Sequence, residues 1–130
     1  MKTRTILMAL SLIASALAVS AADAPAPPHV VEVIVLDVGT NMQKFQELAN
    51  RIAAISKKQQ AGGTVRYYVS TWSGEGAGRV IVTVEHPSLA ALAQSQARMM
   101  ASPDFQKWQA DAQASGLKQL SSSLVTELRF

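Results

Sequence analysis

The chain has 130 residues, 48% hydrophobic and 16% charged, with no cysteine and a formal charge of +3. Without cysteine there can be no disulfide, no thiolate nucleophile and no cysteine metal site. The twelve Lys and Arg are scattered, only Lys57 and Lys58 being adjacent, so no basic stripe awaits a phosphate backbone and no nucleic-acid partner is expected.

At the start, Lys2 and Arg4 precede an apolar run over residues 6–19 that only Ser11 and Ser15 interrupt, and the small residues of AVSAAD follow. This pattern predicts a secretory signal over residues 1–21, cleaved after Ala21 or Ala22, and a periplasmic or secreted protein. The run is shorter than the roughly 20 apolar residues of a membrane span, so no stable membrane insertion is expected after cleavage. In a chain starting at Ala22, ten Lys and Arg stand against nine Asp and Glu, and the formal charge falls to +1. The basic balance thus belongs largely to the leader.

Residues 22–29, rich in Pro and Ala, offer nothing to bury and predict a flexible or polyproline-like lead to a folded domain over residues 30–130. VVEVIVLDVG is a β-branched run closed by Gly39 and predicts a strand. Thr40 with Gln43 forms a capping-box pattern, and Met42, Phe45, Leu48, Ile52 and Ile55 recur at helical spacing, which predicts a helix over about 41–58. Lys57 and Lys58 suit its C-terminal dipole. AGG at 61–63 turns the chain. TVRYYVSTW and RVIVTVEH then predict an antiparallel hairpin around a glycine-rich loop. Pro87 and Ser88 open a second helix, and Leu89, Leu92, Ala93, Ala97 and Met100 share one of its faces. SPDF restarts that helix, with Ser102 as cap, Pro103 at the first helical position and Asp104 at the positive end. Gly116 stops it, and LKQLSSSLVTELRF predicts the last strand.

The order is βαββαβ with the second helical segment broken, an α+β ferredoxin-like pattern with a four-stranded antiparallel sheet. All helices then lie on one sheet face. In the first strand Val31, Val33 and Val35 share one face and Val30, Ile34, Leu36 and Val38 the other, so both are apolar. A homodimer, in which a second copy covers the bare face, is the expected arrangement.

The segments VEVIVLDV, YVSTWSGEGAGRVIVTVEHPSLAALAQSQ, SPDFQKWQ and SSSLVTEL resemble the dimeric α/β-barrel superfamily, which includes antibiotic-biosynthesis monooxygenase-like and NIPSNAP-like proteins. The resemblance spans residues 30–130 and implies two four-stranded sheets closing a dimeric barrel, with a pocket between helices and sheet. It implies no single activity, since relatives include cofactor-free monooxygenases, heme-degrading enzymes and small exported proteins with no known reaction. Heme-degrading relatives carry an axial histidine on the second helical region, but residues 89–101 contain none. No cofactor is expected.

Gly74, Gly76 and Gly78 superficially mimic a nucleotide-binding loop, but a strand rather than a helix follows them, so they read as a permissive hairpin turn. Trp72 and His86 flank that turn, the first as a flat stacking surface and the second as the expected proton-transfer group. Arg66 can pair with Glu85 across the hairpin. Tyr67 and Tyr68 point to opposite faces. The expected ligand contacts are Trp72, Tyr68, Arg66, Met100 and Trp108, with His86 the expected catalytic residue and no metal site, two histidines being too few for a first shell. The expected function is binding of a small apolar or aromatic molecule, the alternative being a cofactor-independent monooxygenase.

Overall fold

β1 (Val30–Asp37) is the run VVEVIVLD, and it occupies the middle of the sheet because both its edges find partners. β3 (Val80–His86) pairs on one side and β4 (Lys118–Thr126) on the other. β2 (Thr64–Val69) joins the free edge of β3, giving the order β2-β3-β1-β4 with every pair antiparallel. Between the strands run α1 (Met42–Gln59), α2 (Leu89–Met100) and α3 (Pro103–Ala114), so the chain is the expected ferredoxin-like α+β fold with its second helical segment in two pieces. The computed structural model describes residues 25–71 and 74–130. The expected signal, residues 1–21, and the expected ligand contact Trp72 lie outside the described residues.

β1 and β2 run parallel within one sheet, as do β3 and β4, and right-handed crossovers place both helical connections on the same face. The side chains agree. Phe45 of α1 meets Tyr67 of β2 edge to face, ring centroids 5.7 Å apart, and Gln96 of α2 donates to Glu32 of β1 at 3.2 Å. The strand register sets Tyr67 beside Val82 and Ile34, and Glu32 beside Val84, all on this face. Its buried members are Val30, Val80 and His86, against Leu48 and Ile55 of α1 and Leu92 of α2.

Helix ends follow the local chemistry with one exception. Ser88 accepts from the Ala91 N–H at 3.1 Å, and Ser102 from the Phe105 N–H at 3.3 Å with Pro103 in the first turn. The capping box read at Thr40 and Gln43 does not form. Asp37 instead accepts the Gly39 N–H at 3.0 Å, Gly39 turns at φ 52°, and the cap falls on Asn41, whose side chain makes no capping bond. The aspartate turn holds the chain back by one residue, so the helix starts at Met42.

The part of the lead that is described carries hydrogen bonds to the end of the chain. The Arg129 guanidinium donates to the carbonyls of Ala26 and Pro27, and the Glu127 N–H donates to the His29 carbonyl at 2.9 Å. Residues 26–29 are thereby tied to the far end of β4. Among the described residues, no helix is long and apolar enough to cross a membrane.

Candidate functional site

The helix layer stops short of β2. Val65, Tyr67 and Val69 point to the helix side of that edge strand yet remain more than two-fifths exposed. Facing them is one stripe of α1, Met42, Phe45, Gln46, Ala49 and Asn50, at spacings i, i+3, i+4, i+7 and i+8. The stripe of α1 together with Tyr67, Tyr68, Val69 and Val80 lines a groove of about 440 Å³, within the roughly 300–1,000 Å³ range of small-molecule sites. The groove exists because the apolar stripe of α1 divides. Leu48 and Ile55 are buried, whereas Met42 and Phe45 are only half-buried and become a wall.

The lining is apolar with a few polar groups, and none of its side chains is charged. The charges of α1 lie on another side of the helix. Lys44 pairs with Glu47 at 3.0 Å, and Arg51 bonds Asp111 of α3 at 2.6 Å. Burial pushes the Tyr67 phenol above its ordinary pKa, so near neutral pH it is an uncharged hydroxyl able to donate and accept. The amides of Gln46 and Asn50 have no side-chain hydrogen-bond partner within the described chain.

Of the residues singled out in the sequence, Tyr68 borders this groove. His86 does not. Its ring is buried at the end of β3, packed against Gly63, where an added Cβ would lie 2.7 Å from the ring Cε1. Arg66 lies on the opposite sheet face and bonds Glu85 at 3.0 Å, while His29 Nδ1 meets the other oxygen of that carboxylate at 2.9 Å. The His29 hydrogen bond, followed by that from Arg66, holds the Glu85 carboxyl below its usual pKa. Trp108 faces α1. Its Nε1 donates to the Leu48 carbonyl at 2.9 Å, and its ring stacks on Phe105 at 5.8 Å, so it locks α3 onto α1. Met100 is exposed at the C-terminal end of α2.

The glycine-rich segment closes a hairpin, as its sequence indicates. The Ser70 N–H donates to the Arg79 carbonyl at 2.8 Å and the Gly78 N–H to the Ser70 carbonyl at 2.7 Å, with Gly74 and Gly78 at positive φ. β3 follows directly, so no helix N-terminus is there to meet a phosphate. Among the described residues, no three His, Asp or Glu side chains gather as a metal shell would require.

Sequence reasoning missed Gln46, Ala49 and Asn50, and it read Met42 and Phe45 only as marks of helical spacing. A signal was present: a pair of amides at i and i+4 on the same stripe as two large apolar residues is unusual for a helix face meant for full burial.

No family model matches the chain, and no curated protein matches it in sequence. Solved structures do. A NIPSNAP family protein from Agrobacterium tumefaciens superposes with a TM-score of 0.59 at 16% identity, covering 83% of this chain and 91% of its own. A NIPSNAP-like domain protein from Burkholderia xenovorans gives 0.57 at 16% identity, covering 78% and 85%. A second Agrobacterium tumefaciens NIPSNAP family protein, of unknown function, gives 0.59 at 15% identity over 81% and 92%. At these identities the likeness is one of fold, and the fold is the NIPSNAP-like ferredoxin-like arrangement that the sequence resembles.

Proposed function

We propose that this NIPSNAP-like chain is an exported homodimer that binds a small apolar or aromatic molecule in the groove between α1 and β2. The observation that carries the reading is the 440 Å³ groove itself, walled by Met42, Phe45, Tyr67 and Val69 and left open by the helix layer. Apolar walls with a few hydrogen-bonding groups are the usual make-up of a small-molecule site. Export rests on the charged and apolar pattern of residues 1–21. The homodimer rests on the sheet face without helices, where Val31, Val33 and Val35 are only half-buried beside Ile81 and the exposed Val125. Two such faces packed about 10 Å apart would close a two-layer barrel.

A cofactor-independent monooxygenase, the second reading from the sequence, requires a proton-transfer group at the bound substrate. His86 lies off the groove and the Tyr68 side chain alternates onto the other sheet face, which leaves the Tyr67 phenol as the titratable group on the groove side, so binding without turnover takes precedence. Native mass spectrometry of the protein purified from its own host tests the proposal. A dimer carrying a stoichiometric small molecule, with the mass lost in an Ala49→Trp variant that fills the groove, is the expected result. A monomer at micromolar concentration refutes the dimer, and Val33→Glu is expected to produce that monomer in a protein that otherwise dimerises.

A further inference from the structure

The lining of the groove carries no charged side chain. We infer, on the premise that the groove is a binding site, that its ligand is uncharged and carries a hydrogen-bonding carbonyl or amide group on an apolar, ring-sized body. Gln46 and Asn50 stand one turn apart on the groove side of α1, so both amides face the same space, and each offers a donor and an acceptor. Neither amide has a side-chain partner within the described chain. Across from them, Tyr67 adds a hydroxyl that stays protonated near neutral pH.

What the lining lacks decides the charge. An ion taken from water into this groove meets no side chain of opposite sign, and burying an uncompensated charge is far costlier than burying a hydrogen-bonded neutral group. The neighbouring charges are already engaged elsewhere: Lys44 by Glu47, Arg51 by Asp111, and Arg66 by Glu85. The apolar body finds its place against Phe45, Val69 and Val80, with the flexible Met42 thioether adapting to its outline.

Three naphthalene probes of similar shape separate the possibilities by equilibrium dialysis: naphthamide, neutral with donor and acceptor; naphthoate, an anion; and naphthalene, with no polar group. Naphthamide is expected to bind about tenfold or more tightly than naphthoate. The Gln46→Leu/Asn50→Leu variant, which keeps good helix formers on α1, is expected to bring naphthamide to the affinity of naphthalene while naphthalene itself still binds. If naphthoate binds as well as naphthamide, or the double variant keeps the preference, the inference is overturned and the groove remains a binding site. If none of the probes binds, or binding survives Ala49→Trp in a protein with unchanged circular dichroism, the groove reading falls and the inference with it.

Discussion

Replacing Gly63 with alanine tests how tightly His86 is held. Gly63 sits at φ 88°, and a Cβ there would approach His86 Cε1 to 2.7 Å, His86 Nε2 to 3.1 Å and Val84 Cγ1 to 3.2 Å. The positive φ alone costs an L-residue about 1–2 kcal/mol. The ring, only 2% exposed, has no open side to swing into, so the methyl overpacks the site at a further cost of about 1–3 kcal/mol. Gly62 supplies the control. It has a similar φ of 74° with nothing within 4 Å of an added Cβ, so Gly62→Ala carries the backbone penalty without the clash. Urea denaturation followed by circular dichroism is expected to place Gly63→Ala roughly 2–5 kcal/mol below the parent, with a melting point lower by at least about 8 °C, and Gly62→Ala well above it. Adding His86→Ala to Gly63→Ala removes the obstructing ring, and the double-mutant cycle should show a favourable coupling of about 1 kcal/mol or more. Equal losses for the two glycine variants, or no coupling with His86, would refute the packing described for this histidine.

Protonating Glu85 should weaken the fold only on the acid side. Its folded pKa is depressed by His29 and Arg66, so its contribution is present above the ordinary carboxylate value of about 4.3 and is lost as pH falls through the lower folded value. Urea midpoints of Glu85→Gln should therefore lie below the parent near neutrality and converge with it in acid, and a gap that persists into acid contradicts the ion cluster. Arg129→Ala should speed proteolysis within residues 26–29 while changing global stability by less than about 1 kcal/mol, since its partners are exposed. A large global loss would mean that the lead belongs to the core. Ser102→Ala should cost more than Ser88→Ala, each about 1 kcal/mol in denaturant unfolding, because Ser102 is only 2% exposed and its lost bond is not replaced by water.

The strands were legible because their composition and alternation are strong. VVEVIVLD could hardly be anything but a central strand, and its two-sided valines already marked a sheet face that its own helices do not cover. The break between α2 and α3 was equally plain, since Ser102 and Pro103 act locally and their geometry needs no distant partner. The start of α1 was misread by one residue because two local motifs competed, and the Asp37 turn onto Gly39 prevailed over the box at Thr40. The site was harder to read for a different reason. Helical periodicity says which residues of α1 face the sheet, but not how far the sheet extends beneath them. Met42 and Phe45 repeat in phase with Leu48 and Ile55, and only the placement of the edge strand β2 turns the first pair into a wall and the second into core. Likewise His86 and Trp108 are rare residue types that invite a functional reading, and nothing local in the sequence says that one ring is buried beside Gly63 and the other bonded to the Leu48 carbonyl.

The groove and the uncovered sheet face share a physical origin. Three helices span the four strands of this sheet unevenly. The central strands β1 and β3 carry the buried Val30, Val80 and His86, while β2 is exposed along its whole length. On the helix side this leaves Tyr67 more than two-fifths exposed with its ring edge to face against Phe45; on the other side Tyr68, Ile81 and Val35 remain half-covered or less. Tyr68 borders the groove by its place in β2, while its side chain alternates onto the uncovered face. A second copy seated on that face would press on the Tyr68 side chain, and through it on the strand that borders the groove. Ligand affinity and subunit association would then be coupled through the β2 strand that carries both tyrosines, whereas the Tyr67 side chain, on the helix side alone, would act on the ligand only.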